Sequence, residues 1–275
     1  MTQVSNEEMK DIEIKILKYI KSVCEKNNLK YYLAYGTLIG AVRHGGFIPW
    51  DDDIDIIMPR EDYKKLGQII NSDNTQEVYK LVSIDTEKEY TAPLAKVIDT
   101  RTTLVQHYGF NEKVELGVYV DVFIVDGVPG NYEDGIHYYN EAYRIYEKWA
   151  KANLSIFPPK MNKIKSIILW IYSIPFKLKG YRFWLNKLEN HNSKYSFYDS
   201  KYVSVLEAGT MEPEKNVWPQ KCFGNKGSVI FEGEEYSAPE DYDLLLKSEY
   251  GDYMVLPPED KRVSHHRYEV YWKDI

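Results

Sequence analysis

The sequence has almost no cysteine: Cys24 and Cys222 are the only two in 275 residues. Two thiols so far apart in the chain build neither a disulfide framework nor a structural zinc site, and a reducing cytosol suits them best. Long apolar runs are missing as well. The longest, Ile167 to Ile174, includes Tyr172 and Ser173 and stops at Pro175, well short of the roughly 20 residues that cross a bilayer. Met1 to Lys10 is polar and acidic, where an export signal would be basic and then apolar. No repeat or low-complexity tract interrupts the chain, and 44% hydrophobic with 28% charged residues is an ordinary soluble composition, so disorder is excluded.

Acid is absent from one stretch. Residues 148–188 hold nine Lys or Arg and no Asp or Glu, in a chain of net charge −7, so the remainder carries −16. A protein acidic overall is a poor partner for duplex nucleic acid, which is held through phosphate contacts from basic side chains. No nucleic-acid partner is expected. The basic stretch also contains Ile164, Ile167, Ile168, Leu169, Trp170, Ile171, Phe176, Phe183 and Trp184. It reads either as a helix facing the core or as one lying on an anionic membrane surface, and the lack of any acid tips the balance to the second.

What is present reads as alternating helices and strands. Ser5-Asn6-Glu7-Glu8 is a capping box, followed by Met9, Ile12, Ile16, Ile20 and Val23 at helical spacing, with an end near Asn27-Asn28. Tyr31 to Tyr35 is β-like and runs through Gly36-Thr37 into a helix-like Leu38 to Arg43. Asp53 to Met58 alternates before Pro59, and Val118 to Val125 reads as another strand. Between them lie a helix at Glu61 to Ile70 and β-like stretches at Leu81 to Ile84 and Leu94 to Ile98. This order predicts a mixed sheet flanked by helices, an α+β fold. Tyr132 to Leu188 is helical and basic, and 189–201 a polar connection. Val229 to Tyr236 predicts a hairpin around Glu232-Gly233, and Pro239 and Gly251 bracket a short helix.

Side chains at i and i+2 of a strand share a face, so Asp53 and Asp55 present two carboxylates together while Ile54 and Ile56 anchor the other side. Hard paired oxygens suit Mg²⁺, with Mn²⁺ as the alternative. Asp51-Asp52-Asp53 alone would be a solvated turn, but acid inside a half-buried strand is costly unless it has a purpose. Asp121 is likewise embedded in an apolar strand. It could complete a metal site, take the proton from an attacking hydroxyl, or simply be held by a structural salt bridge. Gly36 and Thr37, 17 residues before Asp53, can offer N–H groups and a hydroxyl to a phosphate at a helix start. Arg43, His44 and Lys96 are candidates for neutralising phosphate charge.

The run from Tyr35 to His44, Tyr-Gly-Thr-Leu-Ile-Gly-Ala-Val-Arg-His, followed by Gly46-Phe47-Ile48-Pro49-Trp50-Asp51-Asp52-Asp53-Ile54-Asp55, closely resembles the LicD family of phosphorylcholine transferases. The resemblance continues at Asp121-Val122-Phe123 and from Tyr250-Gly251-Asp252 through Leu256-Pro257-Pro258-Glu259 to Arg262 and His265. Only 130–200 matches loosely. The resemblance implies a nucleotidyltransferase-like sheet on which Gly36 and Thr37 form the phosphate turn and Asp53, Asp55 and Asp121 the catalytic and metal-holding acids. Arg43, His44, Lys96, Arg262 and His265 would contact substrate. It further implies transfer of phosphocholine or a similar phospho-alcohol from a CDP-alcohol, CDP-choline being favoured, to a sugar hydroxyl of a glycan or lipid-linked glycan, with release of CMP. Ile124-Val125-Asp126-Gly127 departs from the family's pattern and leaves the acids intact. A nucleotidyltransferase releasing pyrophosphate and a non-catalytic metal-binding protein of the same fold are the alternatives. The expected organisation is a catalytic core at 1–130, a helical basic insertion at 131–200 and a C-terminal hairpin-helix unit at 201–275. The expected location is cytoplasmic, or peripheral on the inner face of the plasma membrane.

Overall fold

The computed structural model describes residues 2–106, 113–155, 162–207, 209–224, 227–263 and 268–274. In chain order the elements are β1 (Thr2–Gln3), α1 (Asn6–Asn27), β2 (Tyr32–Leu33), α2 (Tyr35–His44), β3 (Asp55–Pro59), α3 (Arg60–Ser72), β4 (Tyr79–Val82), β5 (Ala95–Asp99), β6 (Thr102–Gln106), β7 (Tyr119–Val128), α4 (Tyr132–Asn153), α5 (Lys163–Lys177), α6 (Tyr181–Asn192), β8 (Tyr202–Ser204), β9 (Val217–Pro219), β10 (Ser228–Phe231), β11 (Glu234–Ser237), α7 (Tyr242–Tyr250) and β12 (Tyr268–Trp272). The expected α+β architecture is present. A mixed sheet of order β2-β3-β7-β5-β4 is extended by β8 on β7 and β9 on β8, and β1-β12-β6 and β10-β11 form smaller sheets.

α1 starts as its capping box dictates. The Glu8 N–H donates to Ser5 Oγ at 3.3 Å and the Ser5 N–H donates to Glu8 Oε2 at 2.9 Å. Its apolar stripe, with Ile16, Leu17 and Ile20 fully buried, packs on β5 and β7, each such side chain contributing about 2 kcal/mol of burial. The strand period sorts β3 between two layers. Ile54, Ile56 and Met58 join α1 in the larger core cluster, whereas Ile57 joins Tyr32, Val125, Phe197, Trp218 and Phe223 in a second. Asp55 therefore lies on the Ile57 side.

Several boundaries differ from the sequence expectation. The strand after α1 is only Tyr32–Leu33, and α2 begins at Tyr35, so Gly36 and Thr37 sit in the first helical turn rather than before it. Tyr35 makes this sharp turn at φ 47°. α6 continues to Asn192 into the expected polar connection. α7 starts at Tyr242 with Asp241 as its cap, because an Asp side chain can accept the Leu244 N–H at 3.2 Å and Pro239 cannot. The hairpin is where it was expected, and Glu232 in its turn takes φ 48°. C-terminal strands also reach back: β12 pairs with β1 and β6, and β8 with β7.

Candidate active site

The register of three neighbouring strands assembles the site. Asp55 on β3 stands opposite Asp121 on β7, and Asp121 stands opposite Lys96 on β5. One row across the sheet therefore reads carboxylate, carboxylate, ammonium. Asp53, two residues before Asp55, completes the acidic group, since the ligand oxygens of Asp53, Asp55 and Asp121 all lie within 4.8 Å of one another. Asp51, Asp52 and Asp53 form a second such group, which shares Asp53 with the first.

Burial makes this row electrostatically unbalanced. Loss of solvent pushes the Asp55 carboxyl well above its usual range, and Asp53, Asp121 and Asp51 push the same way against the opposing pull of Lys96. Lys96 Nζ donates to Asp121 Oδ1 and lies 3.4 Å from the centroid of the Tyr119 ring. Three carboxylates whose oxygens converge within 4.8 Å form a group of the kind that holds a divalent cation. Hard oxygen donors at this spacing fit Mg²⁺ or Mn²⁺, so the residues present suit the expected metal.

Local structure explains how the acids are held. Thr37 Oγ1 accepts the Asp55 N–H at 2.8 Å, tying the first turn of α2 to the start of β3, and the Asp121 N–H donates to the Ile54 carbonyl at 2.9 Å. Asp51 folds over Gly36: a Cβ there would meet Asp51 Oδ2 at 2.4 Å, so a larger residue would push the Asp51 carboxylate aside. Tyr35 packs edge-on against Phe123, two residues beyond Asp121, with ring centroids 4.7 Å apart. The hairpin turn clamps the next loop, since Glu232 Oε1 accepts the Phe47 N–H at 3.0 Å.

The expected substrate-contacting residues divide into two sets. Gly36, Thr37 and Lys96 lie at the acidic row. Arg43, His44 and Arg262 gather around Trp50 instead: the His44 ring is edge-on to Trp50 at 6.4 Å, the Arg262 guanidinium lies 5.6 Å from the Trp50 centroid, and Arg43 Nε donates to His44 Nδ1 at 3.4 Å. Arg43 also donates to the Tyr253 carbonyl. Burial lowers the His44 pKa, and Arg43 lowers it further, so a neutral imidazole is favoured there. His265 lies outside the described residues. Beside Trp50, a cleft of about 300 Å³ lined by Asn6, Lys10, Trp50, Asp51 and Asp52 opens next to the acidic turn.

Sequence reasoning missed Glu13. It is buried on α1, its Oε2 has no hydrogen-bond partner, and burial, then Asp53 and Asp52, raise its pKa well above the normal range. The signal was available: Glu13 sits beside Ile12 and four residues after Met9, on the apolar stripe, where an acid has no solvent. Asp126, by contrast, is structural. Arg60 Nε and Nη2 donate to its two oxygens, each at 2.6 Å.

Residues 28–160 match the family described as LicD/FKTN/FKRP, nucleotidyltransferase domain, in agreement with the resemblance carried by the motifs. The whole chain is 29% identical over 273 residues to the lipopolysaccharide cholinephosphotransferase LicD of Haemophilus influenzae, covering 98% of this chain and 99% of that one. A 52-residue stretch is 40% identical to the human ribitol 5-phosphate transferase FKRP, 19% of this chain and 10% of that protein. A 55-residue stretch is 49% identical to an uncharacterised protein of Rickettsia prowazekii, 20% and 21% of the two chains.

Proposed function

From a chain that carries a LicD-family nucleotidyltransferase domain, we propose a phosphotransferase that moves phosphocholine, or a similar phospho-alcohol, from a CDP-activated donor to a sugar hydroxyl of a cell-surface glycan. CMP is the leaving group. The observation that carries this reading is the row Asp55, Asp121 and Lys96 with Asp53 at its end, in a chain similar end to end to a cholinephosphotransferase.

Phosphoryl transfer needs charge neutralisation and in-line placement more than a covalent partner. Asp53, Asp55 and Asp121 would hold the divalent cation, which when bound supplies positive charge against the donor's phosphates. Lys96 occupies one oxygen of Asp121 and fixes its orientation, leaving the other oxygen for the cation or for the proton of the acceptor hydroxyl. Thr37 holds the Asp55 backbone in register. Arg43, His44 and Arg262, grouped at Trp50, would meet the more distant charges of the donor.

The experiment is to incubate the purified protein with Mg²⁺ and a panel of CDP-alcohols, with a sugar acceptor, and to measure CMP. Free CMP with CDP-choline or a related donor is expected. Pyrophosphate from a nucleoside triphosphate would instead identify a nucleotidyltransferase. Asn at Asp53, Asp55 or Asp121 should lower turnover on the order of 10²-fold or more, the scale of losing one electrostatic stabiliser at a reacting phosphate. In Asp55→Asn the thermal stabilisation that Mg²⁺ gives the wild type should also vanish. Wild-type turnover in all three variants would sink the assignment.

A further inference from the structure

Helix α5 is turned inside out. Its buried positions are Ser166 and Ser173, 1% and 0% exposed, with Trp170 between them and Lys177 below, whose Nζ donates to the Ala152 and Leu154 carbonyls. The spacing of 166, 170, 173 and 177 is one helical face, and that face packs on α4. The isoleucines take the opposite side. Ile164, Ile168, Tyr172 and Leu178 are 69%, 62%, 60% and 83% exposed, and Ile167 and Ile171 are exposed with them. A helix of a soluble protein normally buries such a stripe and exposes its serines. Here the sequence periodicity is that of an ordinary amphipathic helix, and the fold presents its apolar side outward.

Charge identifies the occupant. Exposed Lys163 and Lys165 begin the helix and exposed Lys179 follows it, and residues 148–188 contain no acid that would repel an anionic surface. Aromatic rings flank the stripe: Lys179 lies 5.1 Å from the Phe183 ring centroid, and exposed Phe183 stands edge-on to Trp184 at 5.0 Å. Lysine is depleted at protein–protein interfaces, whereas apolar residues framed by lysines and aromatic rings match the acyl and headgroup zones of an anionic leaflet. α5 has 15 residues, and no helix of the described residues is long and apolar enough to cross a membrane. It would therefore lie in the interface plane.

We propose that the outward face of α5, with the start of α6, docks on the surface of an anionic lipid bilayer. This does not rest on the phosphotransfer reading and survives its failure. The test is flotation of the full-length protein with vesicles of phosphatidylcholine alone or with about one third phosphatidylglycerol, at low and high salt, alongside its mass in solution. Monomeric protein should float with the anionic vesicles at low salt and be released by high salt. Lys163→Gln with Lys165→Gln should weaken binding about 25-fold, since each cation near an anionic leaflet is worth about fivefold. Ile168→Asp with Ile171→Asp should abolish binding while preserving the wild-type melting temperature, because both side chains point into solvent. Equal recovery of wild type in the supernatant under all four conditions overturns the proposal without any variant. So does a stable dimer that the isoleucine substitutions dissociate, which would make a second copy the occupant.

Discussion

Thr37 shows how a single hydroxyl can set the geometry of the acidic row through the backbone. Its Oγ1 is the acceptor for the Asp55 N–H at 2.8 Å, and both residues are buried, so no water can replace it. Thr37→Val keeps the shape and removes the acceptor, leaving a buried N–H unpaired at a cost of about 1–3 kcal/mol. The expected result is a fall in melting temperature together with a loss of turnover, both largely restored in Thr37→Ser. Denaturant unfolding and steady-state rates measure the two effects, and a Val variant as active and stable as wild type would remove Thr37 from the site's support. The acids themselves were legible from the expected strand Asp53 to Met58, although β3 begins only at Asp55, so strand alternation places Asp55 while Asp53 reaches the group from the segment just before the strand. Lys96 was legible only as a cation. That it faces Asp121 depends on the pairing register of β5 with β7, a property of two segments 25 residues apart that neither one encodes alone. The burial of Glu13 was legible from its place on the apolar stripe of α1, but its nearness to Asp53 and Asp52 was not, because packing rather than any local pattern brings them together.

Strand β7 shows the same limit at the scale of an element. Its apolar run is evident in the sequence, yet β8 and β9, three residues each, are too short for periodicity to register. β12 pairs with β6 across most of the chain. Beyond its strand pairs, a buried charge cluster that no local motif marks also ties β7 to its surroundings. Arg60 at the start of α3 holds Asp126 and donates to Glu189 on α6, while Glu207 Oε1 accepts the Ile124 N–H at 2.9 Å. Asp126 and Glu207 are buried, and one guanidinium does not offset the desolvation of both carboxylates. Burial accordingly raises Glu207 to about 8 and Asp126 to about 6, against the lowering effect of Arg60 on both. Unfolded, these groups titrate near 4, so between those limits the folded state holds more protons than the unfolded one. Stability is then fullest below about pH 4 to 5 as far as these groups are concerned, and is lost as pH rises through 6 and then 8. Glu207→Gln retains a carbonyl for the Ile124 N–H and has nothing to ionise. It should melt with the wild type at pH 5 and above it at pH 9, by at least about 3 °C, the shift that about 1 kcal/mol produces in a chain of this size. Parallel melting curves from pH 5 to 9 would show that Glu207 is not the group being titrated.

The two layers of the whole molecule share their strands, and this decides how the molecule should come apart. β3 gives Ile56 and Met58 to the larger cluster and Ile57 to the smaller. β7 does likewise with Val122 and Val125, so neither layer can be lost while the other keeps its floor. The acidic row lies on those same two strands, which means that the site is built into the seam between the layers. Each layer also contains one of the only two thiols: Cys24 belongs to the larger cluster and Cys222 to the smaller. Burial raises Cys24 to about 12 and Cys222 to about 11, so at pH 8 both are protonated, enclosed and unreactive. A thiol reagent at pH 8 should therefore leave the native protein unlabelled and modify both cysteines once the chain is unfolded in denaturant. Through the transition, the two sites should label in parallel at every denaturant concentration, as shared strands require of a cooperative unit. Mass spectrometry of peptides containing each cysteine reads the two separately. Labelling of Cys222 at concentrations that leave Cys24 protected would mean that the smaller layer opens by itself, and that β3 and β7 can keep one face packed while the other is stripped.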